Sequence, residues 1–169
     1  RLAAGLPLTT NAPPEDPATQ ARLDERSLTA CREVGQGLLD EGQVAAAWMY
    51  LRAAMPAEDV AQQLAAVAAR ALPTSDEPAS PAPLNEDSSR LVDELLGVVL
   101  WDAVDPALGI NLMLRTQGTC AAITAFEQAV SRLPARRQEP AARVLVAHLH
   151  RELVRGVAAD LSARGLTTA

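Results

Sequence analysis

The chain has 169 residues, a formal net charge of −6 and four aromatic side chains, and its length fits one domain with extended segments at its edges. All fifteen basic residues are arginine, which excludes a phosphate-loop lysine, a Schiff-base lysine and a lysine general base. We interpret this bias as the mark of a GC-rich bacterial genome. With so few aromatic residues, Leu, Val and Ala must fill the core through many small contacts.

The N-terminal part of the chain is predicted to be an extended arm followed by a block of helices. Residues 1–15 contain three prolines and no helical stripe of apolar residues, whereas 16–72 form helical block one. Asp16 before Pro17 is a typical helix start, because the carboxylate caps free N–H groups and proline suits the first helical position. Gly42 predicts a tight turn. The predicted helices of this block are 17–41, 43–55 and 56–72.

A proline-rich, acidic segment separates this block from a second one. Residues 73–88 contain four prolines and four acidic residues, which is typical of a linker or a long loop. Helical block two covers 89–165, and 166–169 form a tail. In this block Asp105 and the proline after it make a second cap-plus-proline start, and Gly118 turns the chain. The predicted helices are 89–104, 106–117, 119–133 and 140–165.

The last of these helices carries the longest apolar stripe, which we expect to face the core. Its members are Leu145, Leu149, Leu153, Val157 and Leu161, with Val146 and Val154 beside them. Nowhere does the chain show the alternating pattern of a β-strand, so the predicted class is all-α. The short connections predict antiparallel helical hairpins, about six to seven helices in total, arranged as a repeat array or as an irregular bundle.

The hairpin around the predicted turn resembles a tetratricopeptide repeat (TPR). That motif has a large and a small residue in its first helix, a glycine near the turn and small and large residues alternating in its second helix. The matching residues are Val34, Gly35, Leu38, Gly42, Ala47, Leu51 and Ala54. A second, partial match consists of Ala122, Phe126, Ala129 and Pro134, while Ile110 and Gly118 depart from the pattern. The resemblance covers about a quarter of the chain and implies a TPR-like array that binds peptides or proteins on a concave face.

Charge is unevenly distributed along the sequence. Residues 1–131 carry a net charge of −10, and residues 132–164 carry a net charge of +4. The basic end suits an acidic partner, a phosphate or the chain's own acidic linker, and it also fits a solvated helix face. Nucleic acid is not expected as a partner, because the chain is acidic overall and no aromatic residues are interspersed among the C-terminal arginines.

The densest group of polar residues is His148-Leu-His150-Arg-Glu152, which contains both histidines. On a helix, His148 and Glu152 lie four residues apart on one face and could share a metal ion, which makes a hydrolytic or redox helical-bundle metalloprotein the alternative hypothesis. The further ligands that it needs are Glu33, Glu127, Cys31 or Cys120. In the simpler interpretation, which predicts no cofactor, His148 is a surface residue paired with Glu152, and His150 is a satisfied residue at the edge of the core.

Two glycines and several carboxylate pairs have ordinary structural interpretations. Gly35 and Gly37 lack the preceding strand that a dinucleotide-binding turn requires, so they indicate close helix packing or a kink. Adjacent carboxylates such as Asp40 and Glu41 point about 100° apart on a helix and do not converge as an acid/base pair. The sequence therefore contains no catalytic constellation, and we expect no enzymatic activity.

The cysteines and the absence of long apolar runs bear on the cellular compartment. Cys31 and Cys120 lie in apolar helical contexts, which predicts buried free thiols, and a disulfide between them requires that their helices touch. No apolar run is long enough to span a bilayer and no signal peptide is visible, so a cytoplasmic location is expected. The chain begins at Arg1 and not at Met, which leaves open a processed start, an excised piece and a lost targeting segment.

Together these observations favour a non-enzymatic interaction or assembly module built from helical hairpins. Its expected ligand is a protein partner or a second copy of the chain. Aromatic and arginine side chains tend to anchor protein interfaces. The candidate contact residues are Trp48, Tyr50, Arg52 and Trp101.

Overall fold

A computed structural model describes residues 16–72 and 84–165, and within these two segments all regular structure is helical. The predicted all-α class is therefore confirmed. The predicted arm 1–15, the segment 73–83 and the tail 166–169 lie outside the described residues. The seven α-helices of the described segments are α1 (Pro17–Asp40), α2 (Val44–Ala54), α3 (Ala57–Ala71), α4 (Glu86–Leu96), α5 (Pro106–Thr116), α6 (Thr119–Ala125) and α7 (Ala135–Ala163).

The contacts within the chain divide it into two compact units, with the boundary between Val60 and Ala61 inside α3. Unit 1 contains α1, α2 and the first turn of α3. Unit 2 contains the rest of α3 together with α4 to α7. Each unit is described separately below.

Unit 1 begins with the predicted cap. Asp16 Oδ1 accepts hydrogen bonds from the backbone N–H groups of Ala18 at 3.0 Å and Thr19 at 3.1 Å, and Oδ2 accepts one from the Thr19 hydroxyl at 2.5 Å. These hydrogen bonds, the one from the hydroxyl first, lower the pKa of Asp16 below its ordinary value. The capping contribution is therefore present at neutral pH, and it is lost only as the pH falls through the lowered pKa and the carboxylate is protonated.

The turn between α1 and α2 forms where the sequence predicts it. Gly42 has a φ of +78°, in the left-handed region that glycine adopts without a steric penalty. Its N–H donates to the Leu39 carbonyl at 3.0 Å, and the N–H of Gln43 donates to the Leu38 carbonyl at 2.9 Å. This pair of hydrogen bonds is a Schellman motif, which satisfies the last carbonyls of α1 and reverses the chain into α2.

α2 packs closely along α1 because Gly35 has no side chain. A Cβ atom at position 35 would lie 2.6 Å from Leu51 Cδ2 and 3.3 Å from the Ala47 carbonyl oxygen, and both of these α2 residues are buried. Arg32 Nη2 donates to the Ala54 carbonyl at 3.0 Å. A side chain of α1 therefore supplies a hydrogen bond to one of the last carbonyl groups of α2. The close-packing interpretation of Gly35 is confirmed, and α1 continues through Gly37 without a break.

Unit 2 is organised around α5, which contacts α4, α6, α7 and the turn that follows α4. Asp105 Oδ1 caps α5 by accepting the N–H of Leu108 at 3.0 Å, as the sequence predicts. Gly109 brings α5 against the preceding turn, because a Cβ atom there would lie 2.7 Å from Leu100 Cβ. Four large buried side chains of α5 complete this part of the core; they are Ile110, Leu112, Met113 and Leu114.

Two helices of unit 2 end in π-helical turns that the sequence analysis did not predict. α4 continues as Gly97–Trp101, where the N–H of Asp102 donates to the Gly97 carbonyl at 3.0 Å, and α6 continues as Phe126–Val130.

After the π-helical turn that ends α4, Ala103 has a φ of +55°, which is rare for a residue with a side chain. The Arg137 guanidinium donates to the Ala103 carbonyl and holds this conformation against α7.

The predicted starts of two helices in unit 2 are wrong by three to five residues. α4 begins at Glu86 and not at 89, because the Asn85 side chain caps it by accepting the N–H of Ser88 at 2.7 Å. α7 begins at Ala135 and not at Pro140. Pro140 lies about one turn inside the helix, where its missing N–H removes one helical hydrogen bond. The Gln138 side chain reaches back to the Leu133 carbonyl at 2.6 Å and stabilises the earlier start.

Gly35→Ala is expected to destabilise unit 1 by about 1–3 kcal/mol, because the new methyl group would overlap the packed Leu51 side chain. Gly37→Ala is the matched control on the same helix. Nothing lies within 4 Å of a Cβ atom at position 37, so this variant should gain about 1 kcal/mol from helix propensity. Urea unfolding followed by Trp48 fluorescence in a Trp101→Phe background measures both changes. Equal effects of the two substitutions would contradict the close contact.

Ala103→Gly is expected to stabilise unit 2 by about 1 kcal/mol, because glycine relieves the strain of the positive φ. The same substitution at Ala147, an exposed helical position of α7, should cost about 1 kcal/mol. Urea unfolding followed by Trp101 fluorescence in a Trp48→Phe background compares the two variants. Destabilisation by both would show that Ala103 is not strained.

Candidate interaction surfaces

α7 has one side in the core of unit 2 and a second apolar side exposed to solvent. Ala141, Leu145 and His148 are buried at successive spacings of four and three residues. Another group of aliphatic side chains lies roughly 140° around the helix from them. We call this group the outward face; its members, followed by their exposed fractions, are Val146 (63%), Leu149 (39%), Leu153 (66%), Val154 (53%) and Val157 (51%).

The expectation that the whole apolar stripe of α7 faces the core is therefore wrong. Only Leu145 at its beginning is buried, and every residue from Leu149 to Asp160 is exposed. The stripe repeats every four residues, so each member is rotated by about 40° from the one before and away from the side of Leu145. From Leu149 to Asp160 every side of the helix is exposed, so the later members of the stripe have no core to face.

A row of arginines begins beside the outward face and continues past its N-terminal end. Arg136, Arg143 and Arg151 are exposed and recur at spacings of seven and eight residues, which places them on one side of the helix. We call this row the basic edge. Val146 of the outward face, with Arg143 and Arg151 of the basic edge, lines one open surface on α7; the other residues of this surface are Glu139, Ala142, Ala147 and His150.

The acidic residues of α7 are each paired with an arginine three or four residues further along the chain. Glu139 Oε1 lies 2.7 Å from Arg143, Glu152 Oε1 lies 2.5 Å from Arg155, and Asp160 Oδ2 lies 2.9 Å from Arg164. Residues 132–164 contain seven arginines and three acidic residues, so these pairs leave a net positive charge on this part of the chain.

In unit 1 the candidate contact residues of α2 lie on two different sides. Trp48 and Arg52 are one turn apart and share one side, where the tryptophan is half-buried and the arginine exposed. Tyr50 is rotated about 160° from both and is exposed. Met49, with 58% of its surface exposed, is the most exposed large apolar residue of α2, and the sequence analysis missed it.

The fourth candidate, Trp101, belongs to unit 2. It ends the π-helical turn after α4, and 53% of its surface is exposed. Its three predecessors Val98, Val99 and Leu100 are buried, so the turn directs apolar side chains inward and leaves the tryptophan at the surface. An exposed aromatic ring is suited to anchor an interface.

The structure reverses the predicted surroundings of the two histidines. His148, expected at the surface and paired with Glu152, is buried, and its Nε2 shares a hydrogen bond of 2.8 Å with the Thr119 hydroxyl. Its place on the helix continues the buried side begun by Ala141 and Leu145, whereas His150 is exposed. Glu152 pairs with Arg155 instead.

The alternative metal site gains no geometric support. Within 16–72 and 84–165 no group of three or more His, Cys, Asp or Glu side chains is placed to hold a metal ion. The use of His148 and Glu152 as metal ligands stays a prediction, and metal analysis of untagged protein, with His148→Ala as the comparison, tests it.

The expectation of buried thiols is also wrong. Cys120 is exposed in the first turn of α6, Cys31 is only partly buried on α1, and both are free cysteines. The buried residues of α1 are Gly35 and Leu39, so Cys31 precedes the buried part of this helix.

No helix in the described part of the chain combines the length and the hydropathy needed to cross a bilayer. Comparisons with protein-family models, with curated proteins and with solved structures find no match to this chain. Its candidate function therefore depends on the surfaces described above.

Thr119→Val is expected to destabilise unit 2 by about 1–3 kcal/mol, because it leaves the buried His148 ring without its hydrogen-bond partner. Thr124→Val on the same helix is the matched control. The Thr124 hydroxyl is exposed and bonds only to the Cys120 carbonyl of its own helix, so its loss should change stability by less than about 0.5 kcal/mol. Chemical unfolding followed by circular dichroism measures both. Equal losses would contradict a stabilising role for the His148 contact.

Proposed function

We propose that this chain is a non-enzymatic protein-interaction or assembly module built from helical hairpins. The outward face of α7 carries the proposal, because it presents five aliphatic side chains to solvent along one side of one helix. Contiguous apolar surface of this kind typically marks a binding site in a soluble protein.

The size of the outward face bears on the strength of the interaction. Its side chains are about half exposed, so burying them would contribute on the order of 5 kcal/mol in total. This value is near the lower end of the free-energy cost of association, about 4–15 kcal/mol. The outward face alone therefore supports weak, reversible binding, and polar contacts at its edges must supply the rest of the affinity.

Other exposed residues are candidates for additional contacts. In unit 1 these residues are Met49, Tyr50 and Arg52, together with the partly exposed Trp48. In unit 2 the candidate is Trp101. The ligand of the module is a protein partner or a second copy of the chain. The TPR-like classification, a scaffold role, a bacterial source and a cytoplasmic location stay predictions from the sequence.

Site-specific photo-crosslinking tests the proposal. A photoreactive amino acid replaces Leu153 on the outward face or, as the matched control, Ala159, an exposed residue about 120° around the same helix. The purified chain is irradiated alone and in an extract of cells that express it. We expect discrete adducts from position 153 and none from position 159. Identical adducts from both positions, or none from either, would contradict an interaction through the outward face.

A further inference from the structure

We propose that the outward face and the basic edge of α7 together bind an amphipathic helix of a protein partner that has carboxylates along one edge of its apolar stripe. This inference rests on the proposed function and names the class of partner. It follows from the shape of the surface, from its charge and from the features that disfavour other occupants.

The shape of the surface suits another helix. Val146, Leu153 and Val157 recur at spacings of seven and four residues, which places them in one row that a partner helix can follow. On the side away from the basic edge Gly156 lies beside the row, and nothing lies within 4 Å of the Cβ position there, so this part of the surface is open to a side chain of a partner helix.

The charge of the surface suits carboxylates. All three acidic residues of α7 are already paired with arginines three or four residues further along the chain. The basic edge therefore keeps an excess of positive charge, and neither Arg136 nor Arg151 has an ion pair to another described residue. Carboxylates on a partner helix would pair with this edge, as charged residues do beside the apolar seam of a coiled coil.

Two other occupants fit less well. An antiparallel pair of α7 helices from two copies would bring the same edge of each copy together and place arginines opposite arginines. A membrane surface is disfavoured because α7 contains no aromatic residue, and because Asp160 lies on the same side of the helix as Leu153.

The test uses the full chain and two labelled helical peptides of about 21 residues. Both peptides have the same leucine stripe; the acidic peptide has glutamates beside the stripe, and the basic peptide has lysines at those positions. Fluorescence anisotropy measures binding at about 0.1 M salt and again at about 0.5 M salt. We expect the acidic peptide to bind at least about tenfold more tightly than the basic one, and the difference to shrink at high salt.

Variants of the chain locate the site. Leu153→Asp should weaken binding of the acidic peptide about tenfold or more, because it places a carboxylate on the apolar row. Arg151→Glu should weaken binding of the acidic peptide and strengthen binding of the basic one. The controls are Ala159→Asp, off the outward face, and Arg26→Glu, on α1; both should leave binding unchanged. All four positions are exposed, and circular dichroism checks that each variant is folded.

The outcomes separate this inference from the proposed function. If both peptides bind equally and Leu153→Asp abolishes the binding of both, the acidic partner is contradicted and the interaction module is retained. Binding to anionic lipid vesicles in preference to either peptide, or self-association that the acidic peptide does not compete with, would also overturn the inference. Absence of peptide binding together with absence of crosslinks from position 153 would overturn both proposals.

Discussion

The described structure depends on close approach between helices at positions without a side chain. In unit 1 Gly35 brings α1 against Leu51 of α2, and in unit 2 Gly109 brings α5 against Leu100. A chain with four aromatic residues cannot fill wide gaps between helices, so its Leu, Val and Ala side chains must meet at short distance to reach normal packing density. Such a core does not require aromatic side chains, and Tyr50 and Trp101 are exposed at the surface.

α7 has a large surface that the core of unit 2 does not cover. Its buried side is narrow, since it consists of Ala141, Leu145 and His148, and the histidine is accommodated only through its contact with Thr119. Beyond His148 the helix continues for about four turns with exposed residues on every side. Helix propensity and two local ion pairs, Glu152 with Arg155 and Asp160 with Arg164, stabilise it there. Neither explains why the exposed side carries Leu153 and Val157 instead of polar residues. The contact with another protein that we propose would account for it.

Local signals predicted much of the fold, and the failures have physical causes. Asp16, Gly42 and Asp105 act within a few residues of the chain, so the helix boundaries that they set could be predicted. The π-helical turns and the positive φ of Ala103 result from packing between helices and have no local signal. The periodicity of the sequence showed that α7 has an apolar stripe. It did not show which side of the helix the core of unit 2 covers. For that reason the outward face and the burial of His148 were missed.

The electrostatics of the whole chain sharpen the role of the basic edge. Because the chain has a net charge of −6, an acidic partner is repelled at long range. At physiological ionic strength the Debye length is about 8 Å, so this long-range repulsion is largely screened, whereas contacts at the basic edge act at shorter distance. In the proposed complex the arginines would act mainly at short range and select which helix binds. A helix without carboxylates would gain too little free energy from the aliphatic row alone, so this selection would be effective.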